Sequence, residues 1–292
     1  MDVSTFKAHR RTVPADGGAI AYTEFGDAGA PAALFVHGLA TGGLMWRNVM
    51  EQLSPASRCI AIDLPAHGGT PARSDMSVAA MAEVLEELCR ALGIDQVDLV
   101  GNDTGGAICQ IFAARHPARL RSFTLTNCDT DGNFPPPDFA PMVELARQGK
   151  LAEGFAGVNA DPASRAAGPL AALYEDPAKV SDEVWREYYG PGSGDPDSAE
   201  QLQRARDVER MMAAFDPADL AAATPGLRTL QAPTLMVWGT GEENTFGLKW
   251  AYALREMIPG ARDVIEVDGA KLLFPEERPG DLAPHLREFW GR

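Results

Sequence analysis

The residues best suited to chemistry lie in the stretch 101–106, which reads GNDTGG. An apolar, β-branched run precedes it at 96–100, and apolar residues at helical spacing follow it at 107–115. A strand that turns sharply into a helix through Gly-x-Asp-x-Gly is a frame that presents one reactive side chain. The glycines suit a strained turn, and the positive end of the following helix favours an ionised carboxylate. We therefore predict that Asp103 is a nucleophile.

The elements that must position Asp103 follow an alternating pattern along the chain. Strands are predicted at 6–13, 19–25, 32–36, 58–62, 96–100, 120–126, 233–238 and 263–267. Helices are predicted between them at 44–53, 77–92, 107–115, 248–257 and 281–290. This alternation predicts an α/β protein with a mostly parallel central sheet and helices on both faces.

One long segment departs from the alternation. Residues 131–228 contain few strand-like runs, many prolines and amphipathic stretches that predict helices at 137–148, 163–174, 182–189 and 199–215. We therefore predict a core formed by 1–130 and 229–292, with a helical insertion over 131–228.

Composition excludes several classes of function. The 292-residue chain has 26 basic and 41 acidic residues, a net charge of −15 that disfavours nucleic acid and anionic membranes as partners. The scattered cysteines, the absence of an apolar leader and the lack of an apolar run of about 18 residues predict a soluble cytoplasmic protein. The dispersed histidines and the absence of Gly-x-Gly-x-x-Gly predict no metal and no cofactor. The oligomeric state stays open.

Four motifs resemble the α/β-hydrolase superfamily over nearly the whole chain. They are the strand–turn–helix at 101–106 (a nucleophile elbow), the pair His37-Gly38, the loop DLPAHG at 63–68 and the strand 233–239. The resemblance implies an α/β-hydrolase fold, in which 131–228 is a cap over the pocket. It also implies an oxyanion hole formed by the backbone N–H groups of Leu39 and Thr104.

With an aspartate at the elbow, the chain resembles the haloalkane dehalogenases and epoxide hydrolases. In those enzymes the carboxylate attacks carbon and forms an alkyl ester. A carboxylate is ionised at neutral pH, so it needs no base for this attack. Hydrolysis of the ester does need a base, because water must lose a proton as it attacks. The resemblance implies hydrolysis of a small, largely apolar epoxide, haloalkane or ester.

The chain departs from that pattern where the base is expected. The loop 268–275 holds no histidine, and Lys271 falls within one residue of the expected place. A desolvated lysine can act as a base, and a charged one can stabilise an anion. Glu242 or Glu243 occupies the usual position of the acid partner. An alternative position after the sixth strand holds Asn127, with Asp129 two residues later.

Other family markers leave the substrate and the reaction open. Dehalogenases hold the halide with a tryptophan after the nucleophile, where this chain has threonine. The candidates for contact with substrate are His37, Asn127 and the cap aromatics Trp185 and Tyr188. Because the histidine is missing, an alternative is a cofactor-free lyase, isomerase or cyclase in which Asp103 shuttles a proton. A third possibility is a non-catalytic protein that binds a small molecule.

Overall fold

A computed structural model describes residues 1–158, 161–189, 199–241 and 243–292. In these residues one sheet contains the strands β1 (Arg10–Val13), β2 (Ile20–Phe25), β3 (Ala32–Val36), β4 (Arg58–Ile62), β5 (Val97–Asp103), β6 (Leu120–Cys128), β7 (Thr234–Gly239) and β8 (Ala261–Val267). Their spatial order is β1-β2-β4-β3-β5-β6-β7-β8. The pairings β1–β2 and β2–β4 are antiparallel, and every other pairing is parallel. The predicted fold class is confirmed.

Helices flank this sheet. They are α1 (Val3–Ala8), α2 (Arg47–Leu53), α3 (Val78–Ala91), α4 (Thr104–Arg115), α5 (Ala140–Arg147), α6 (Ala152–Val158), α7 (Pro162–Ala166), α8 (Asp182–Tyr189), α9 (Ala199–Ala213), α10 (Pro217–Ala221), α11 (Thr224–Leu227), α12 (Glu243–Phe246), α13 (Leu248–Met257), α14 (Phe274–Glu277) and α15 (Ala283–Trp290). Short 3-10 helices occur at Gly43–Trp46, Pro117–Arg119, Pro137–Phe139, Pro169–Leu173, Pro177–Lys179 and Pro279–Asp281. None of the helices in the described ranges is both long and apolar enough to span a membrane.

The central strands are buried along their whole length, which explains their continuous apolar sequences. Every residue of β3 is buried, as are all residues of β5 before Asp103. Helix α4 packs against α3 and α11, whereas α2 packs against α14 and α15. From β3 the chain continues to β4 on one side and later returns to β5 on the other. In parallel sheets, ligands bind at the carboxyl ends of strands beside such a reversal. Asp103 ends β5 at this point.

The strand predicted at 6–13 is wrong in its first half, where the chain forms helix α1 instead. The side chain of Asp2 accepts a hydrogen bond from the backbone N–H of Thr5 and caps the helix. Val3 and Phe6, three residues apart, are both buried on one side of α1. Only β1, Arg10–Val13, pairs with β2. In residues 3–8 the cap at Asp2 and the helical spacing of buried residues outweigh the preference for a strand that was predicted from the sequence.

The described part of the chain between β6 and β7 is helical and adds no strand to the sheet. The helix predicted at 163–174 is interrupted, because α7 ends at Ala166 and Pro169 begins a separate 3-10 helix. Proline has no N–H to continue the helical hydrogen bonds. The limits 131–228 for a cap stay a prediction.

A buried cluster around Glu276 joins this helical segment to the core. Glu276 is 4% exposed and forms an ion pair with Arg47 of α2. The hydroxyl groups of Tyr174 and Tyr188, which belong to the helical segment, donate to Glu276 Oε2 at 2.5 and 2.8 Å. One carboxylate thus holds a core helix and two positions of the segment together.

Replacement of Glu276 tests this cluster. Glu276→Gln removes the charge opposite Arg47, whose side chain is only 12% exposed. We expect the free energy of unfolding to fall by about 3 kcal/mol, because the guanidinium stays buried without a counter-charge. Urea unfolding measures the change.

Two comparisons control this experiment. The double variant Arg47→Met/Glu276→Gln is expected to lose less stability than the two single variants summed, since both charges are removed together. Arg186→Met breaks the exposed pair with Asp182 and is expected to cost less than about 1 kcal/mol. Strictly additive losses in the double variant would contradict a coupled pair.

Candidate active site

Asp103 lies at a sharp junction between β5 and α4. Its backbone has φ 55° and ψ −136°, and α4 begins at the next residue, Thr104. A non-glycine residue with such angles costs on the order of 1–3 kcal/mol and persists only when the surrounding structure holds it. The strain therefore marks a side chain whose orientation matters more than its local stability.

Two glycines allow the backbone to approach this junction closely. A Cβ on Gly105 would lie 2.3 Å from the carbonyl oxygen of His37, and a Cβ on Gly38 would lie 2.1 Å from Asp103 Oδ2. Both distances are severe steric overlaps. The loop after β3 can therefore lie against the start of α4 only if both positions lack a side chain.

This close approach brings one of the two predicted oxyanion donors, the N–H of Leu39, to the carboxylate. The backbone N–H of Leu39 donates to Asp103 Oδ2 at 2.9 Å. Thr104 is the first residue of α4, so its N–H is one of the amides that a helix leaves without a partner inside the helix. The positive end of the helix favours the ionised form of Asp103.

His37 and His67 support the loop that carries Leu39. The Nε2 atom of His67 accepts from the N–H of Ala40 at 3.1 Å, and that of His37 accepts from the N–H of Leu64 at 3.0 Å. Burial lowers the pKa of His37 to about 4 and that of His67 to about 3, so both rings are neutral. His37, predicted to contact substrate, is not among the residues described as lining the cavity.

A cavity of about 290 Å³ lies over Asp103. Its polar lining residues are three aspartates and two threonines: Asp103, Asp129, Asp138, Thr104 and Thr245. The rest of the described lining is apolar: Leu39, Ala40, Pro135, Pro136, Phe139, Met142, Pro169, Leu170, Ala172, Leu173, Met212, Phe215 and Phe246. No lysine, arginine or histidine occurs among these residues. The cavity is thus apolar with an acidic floor.

Asp129 is the second carboxyl at this floor. It follows β6, the neighbour of β5, and its backbone N–H lies 3.4 Å from the carbonyl oxygen of Asp103. Burial raises its pKa well above the usual value, the charge of Asp103 raises it further, and the hydroxyl of Thr104 opposes part of the rise. Burial and the neighbouring charge thus both favour the protonated form of Asp129. In the sequence, Asp129 lies two residues after Asn127, the alternative position of the acid partner, and no separate role was predicted for it, although its place after the strand next to the elbow was a usable signal.

Asn127 connects two strands of the sheet and is not among the described residues that line the cavity. Its side chain donates to the carbonyl oxygen of Gly239 at 2.9 Å and accepts from the N–H of Gly239 at 2.6 Å. Asn102 similarly donates to the carbonyl oxygen of Leu272 at 3.0 Å. The two buried amides connect the carboxyl ends of β5, β6 and β7 to the loop after β8.

The structure places the predicted base, Lys271, against the helical segment. The Nζ atom of Lys271 donates to the carbonyl oxygen of Ala172 at 3.1 Å, and Lys271 is not among the described lining residues. Glu243 begins the short helix α12. Glu242 lies outside the described residues. Lys271 therefore contacts the helical segment from the core side.

The two aromatic candidates pack inside the helical segment. Trp185 is 1% exposed and lies edge-on to Tyr174, with ring centroids 5.3 Å apart. The hydroxyl of Tyr188 donates a hydrogen bond to the carboxylate of Glu276. Neither Trp185 nor Tyr188 is among the residues described as lining the cavity over Asp103.

The fold and the elbow together identify the family. The profile of the alpha/beta hydrolase fold matches residues 31–278, and the chain belongs to this family. Within the described ranges, no group of three or more His, Cys, Asp or Glu side chains is arranged to hold a metal ion.

Known proteins of two activities resemble parts of the chain. Epoxide hydrolase 3 of Xenopus tropicalis is 36% identical over 116 residues, which cover 39% of this chain and 32% of that protein. A haloalkane dehalogenase of Bradyrhizobium diazoefficiens is 34% identical over 113 residues, which cover 38% of this chain and 36% of that protein. The chain thus spans about a third of the length of these relatives.

A solved structure extends the likeness in fold to the whole chain. The haloalkane dehalogenase DbeA of Bradyrhizobium elkani has a TM-score of 0.77 at 24% identity, and the match covers 97% of both chains. At this identity the likeness is one of fold.

The neutral histidines make stability depend on pH. An unfolded histidine binds a proton below about pH 6.5, whereas folded His67 does not until about pH 3, so the free energy of unfolding falls as pH decreases through this range. The variant His67→Asn keeps an acceptor for the N–H of Ala40. We expect its free energy of unfolding to fall by about 2 kcal/mol less than that of wild type between pH 7 and pH 5. Urea unfolding at each pH measures this difference, and parallel curves for the two proteins would contradict it.

Proposed function

We propose that the protein is a hydrolase in which Asp103 attacks a small, neutral, largely apolar substrate of the epoxide, haloalkane or ester type. The observation that carries the proposal is the 2.9 Å contact between the N–H of Leu39 and Asp103 Oδ2, on a carboxylate that lines an apolar cavity. The relatives named epoxide hydrolase and haloalkane dehalogenase support it.

The contact with Leu39 gives the two oxygens of Asp103 different roles. Oδ2 keeps its hydrogen bond from the N–H of Leu39, while Oδ1 attacks carbon. A C–O bond forms, and the bond to the leaving group breaks. Water then adds to Cγ of the ester, and negative charge develops on Oδ2. The N–H of Leu39 is already in place to stabilise that charge, with the N–H of Thr104 as the second donor.

The charges around the cavity support a neutral substrate. Asp103, Asp129 and Asp138 line it, and no basic side chain does so among the described residues. An anionic ligand would enter without a partner and against a carboxylate. The volume of about 290 Å³ suits a small molecule, and the apolar walls favour hydrocarbon groups.

Proton transfer without hydrolysis is the second candidate function. It is favoured by the lack of a histidine among the described lining residues and by two adjacent carboxyls, of which one, Asp129, has its pKa raised by burial. Asp103 would then take and return a proton in a lyase, isomerase or cyclase reaction, with no covalent intermediate.

A single turnover in water labelled with oxygen-18 tests the nucleophile. With enzyme in excess over an epoxide, we expect the label in the peptide that contains Asp103 and not in the product alcohol, because water attacks Cγ. Asp103→Asn is expected to lower turnover at least about a thousandfold. Mass spectrometry of the digested protein and of the product measures the label.

Each other result points to a different function. Label in the product alone would mean that water attacks substrate directly and would overturn the nucleophile. Turnover of a substrate without label in protein or product would support the lyase, isomerase or cyclase reaction. Binding of substrate analogues with no turnover of any electrophile would favour a non-catalytic binding protein.

A further inference from the structure

Two proton transfers in the proposed reaction need a residue that performs them. The oxygen of an opened epoxide must gain a proton, and the water that hydrolyses the ester must lose one. His37 and His67 hold backbone groups of the supporting loops, and Lys271 donates to Ala172. None of these three is a described lining residue of the cavity.

Asp129 is placed where these transfers occur. Asp129 is 1% exposed and lines the cavity beside Asp103. Nε2 of Gln110 donates a hydrogen bond to the backbone carbonyl oxygen of Asp129 at 2.7 Å. Its Oδ1 atom is buried and has no hydrogen-bond partner among the described residues. An unsatisfied buried carboxyl oxygen is costly unless a bound molecule supplies the missing partner.

We propose that Asp129 is a second catalytic residue, which gives its proton to the leaving oxygen of an epoxide and then accepts the proton of the hydrolytic water. This inference rests on the proposed function of Asp103. In this proposal the carboxyl that follows the neighbouring strand β6 takes the role of the histidine that the loop after β8 lacks.

The first step conserves charge within the site. Asp103 Oδ1 forms a bond to an epoxide carbon, the C–O bond of the ring breaks, and the proton of Asp129 moves to the departing oxygen. Asp103 becomes a neutral ester while Asp129 becomes a carboxylate. The site carries one negative charge before and after, so no charge is added to an apolar cavity.

The second step restores the starting state. The Asp129 carboxylate takes a proton from water as the water adds to Cγ of the ester, and Oδ2 carries the charge beside the N–H of Leu39. The bond from Cγ to the alcohol oxygen breaks, that oxygen takes the proton back from Asp129, and a diol leaves. Asp103 is then a carboxylic acid beside ionised Asp129, and one proton transfer between them returns the resting pair.

This proton cycle favours epoxides over alkyl halides. A halide leaves as an anion and takes no proton, so Asp129 remains protonated when the ester forms. The ester then lacks a base until that proton reaches solvent. We therefore expect an epoxide to be turned over and a matched bromide to accumulate as the ester on Asp103.

The experiment compares styrene oxide with (2-bromoethyl)benzene on wild type and on Asp129→Asn. In wild type, turnover of the bromide is expected to be at least about tenfold slower than that of the epoxide, with a mass increase on the Asp103 peptide. Asp129→Asn is expected to lower epoxide turnover by about 10²- to 10⁴-fold and to accumulate the ester from the bromide. Intact mass and peptide mass measure the adduct.

Asp131→Asn is the matched control, because it neutralises a carboxyl on the same segment. The side chain of Asp131 accepts from the hydroxyl of Thr224 at 2.6 Å and is not among the described lining residues. We expect its turnover to stay within about twofold of wild type. The comparison of the two substrates on wild type tests the proposal even where Asp129→Asn does not fold.

The outcomes separate the two proposals. If Asp129→Asn hydrolyses the epoxide at the wild-type rate while Asp103→Asn is inactive, the role of Asp129 is overturned and that of Asp103 stands. Equal turnover of bromide and epoxide by wild type would also overturn it, as would loss of turnover in Asp129→Asn with no ester from the bromide. If no protein acquires an adduct or oxygen-18 on Asp103, the proposed function itself is overturned.

Discussion

The organisation of this protein depends on a negative charge that is held at the carboxyl edge of a buried sheet. Asp103 occupies a left-handed backbone conformation, and its Oδ2 atom accepts the N–H of Leu39 at 2.9 Å. That contact exists because two chain segments approach within van der Waals distance at Gly38 and Gly105. Neutral histidines support the loops from below, since a protonated imidazole would be costly in the same buried space.

The helical segment determines the environment in which this charge acts. The ion pair of Arg47 and Glu276, with two tyrosine hydroxyls on the same carboxylate, joins the segment to the core. The cavity beneath the segment has walls of proline, leucine, methionine and phenylalanine. In such surroundings two adjacent carboxyls cannot both be ionised at low cost, so burial and the charge of Asp103 raise the pKa of Asp129. This rise is a consequence of burial and needs no histidine.

Membership of the family does not carry the family's residue roles to every position. Asn127, after β6, binds the backbone of Gly239 through both ends of its amide and so connects two strands. Lys271, near the position expected for a base, reaches across to the carbonyl oxygen of Ala172. Both polar side chains are occupied by backbone groups, which is a structural use that residue type and spacing do not distinguish from a catalytic one.

The sequence by itself determined the α/β class and the strand–turn–helix around Asp103, because these features depend on local periodicity and on glycines at fixed spacing. The approach of Leu39 to Asp103 was expected only from the resemblance to the family. The sequence predicted a strand where α1 forms, since the burial of Phe6 and the hydrogen bond that caps the helix at Asp2 are made only in the folded chain. Only the tertiary structure decided which polar residues meet at the cavity. Asp129 lies beside Asp103 because β5 and β6 are neighbours in a parallel sheet, although it comes 26 positions later in the chain. Burial, and with it the raised pKa of Asp129, is a property of that packing.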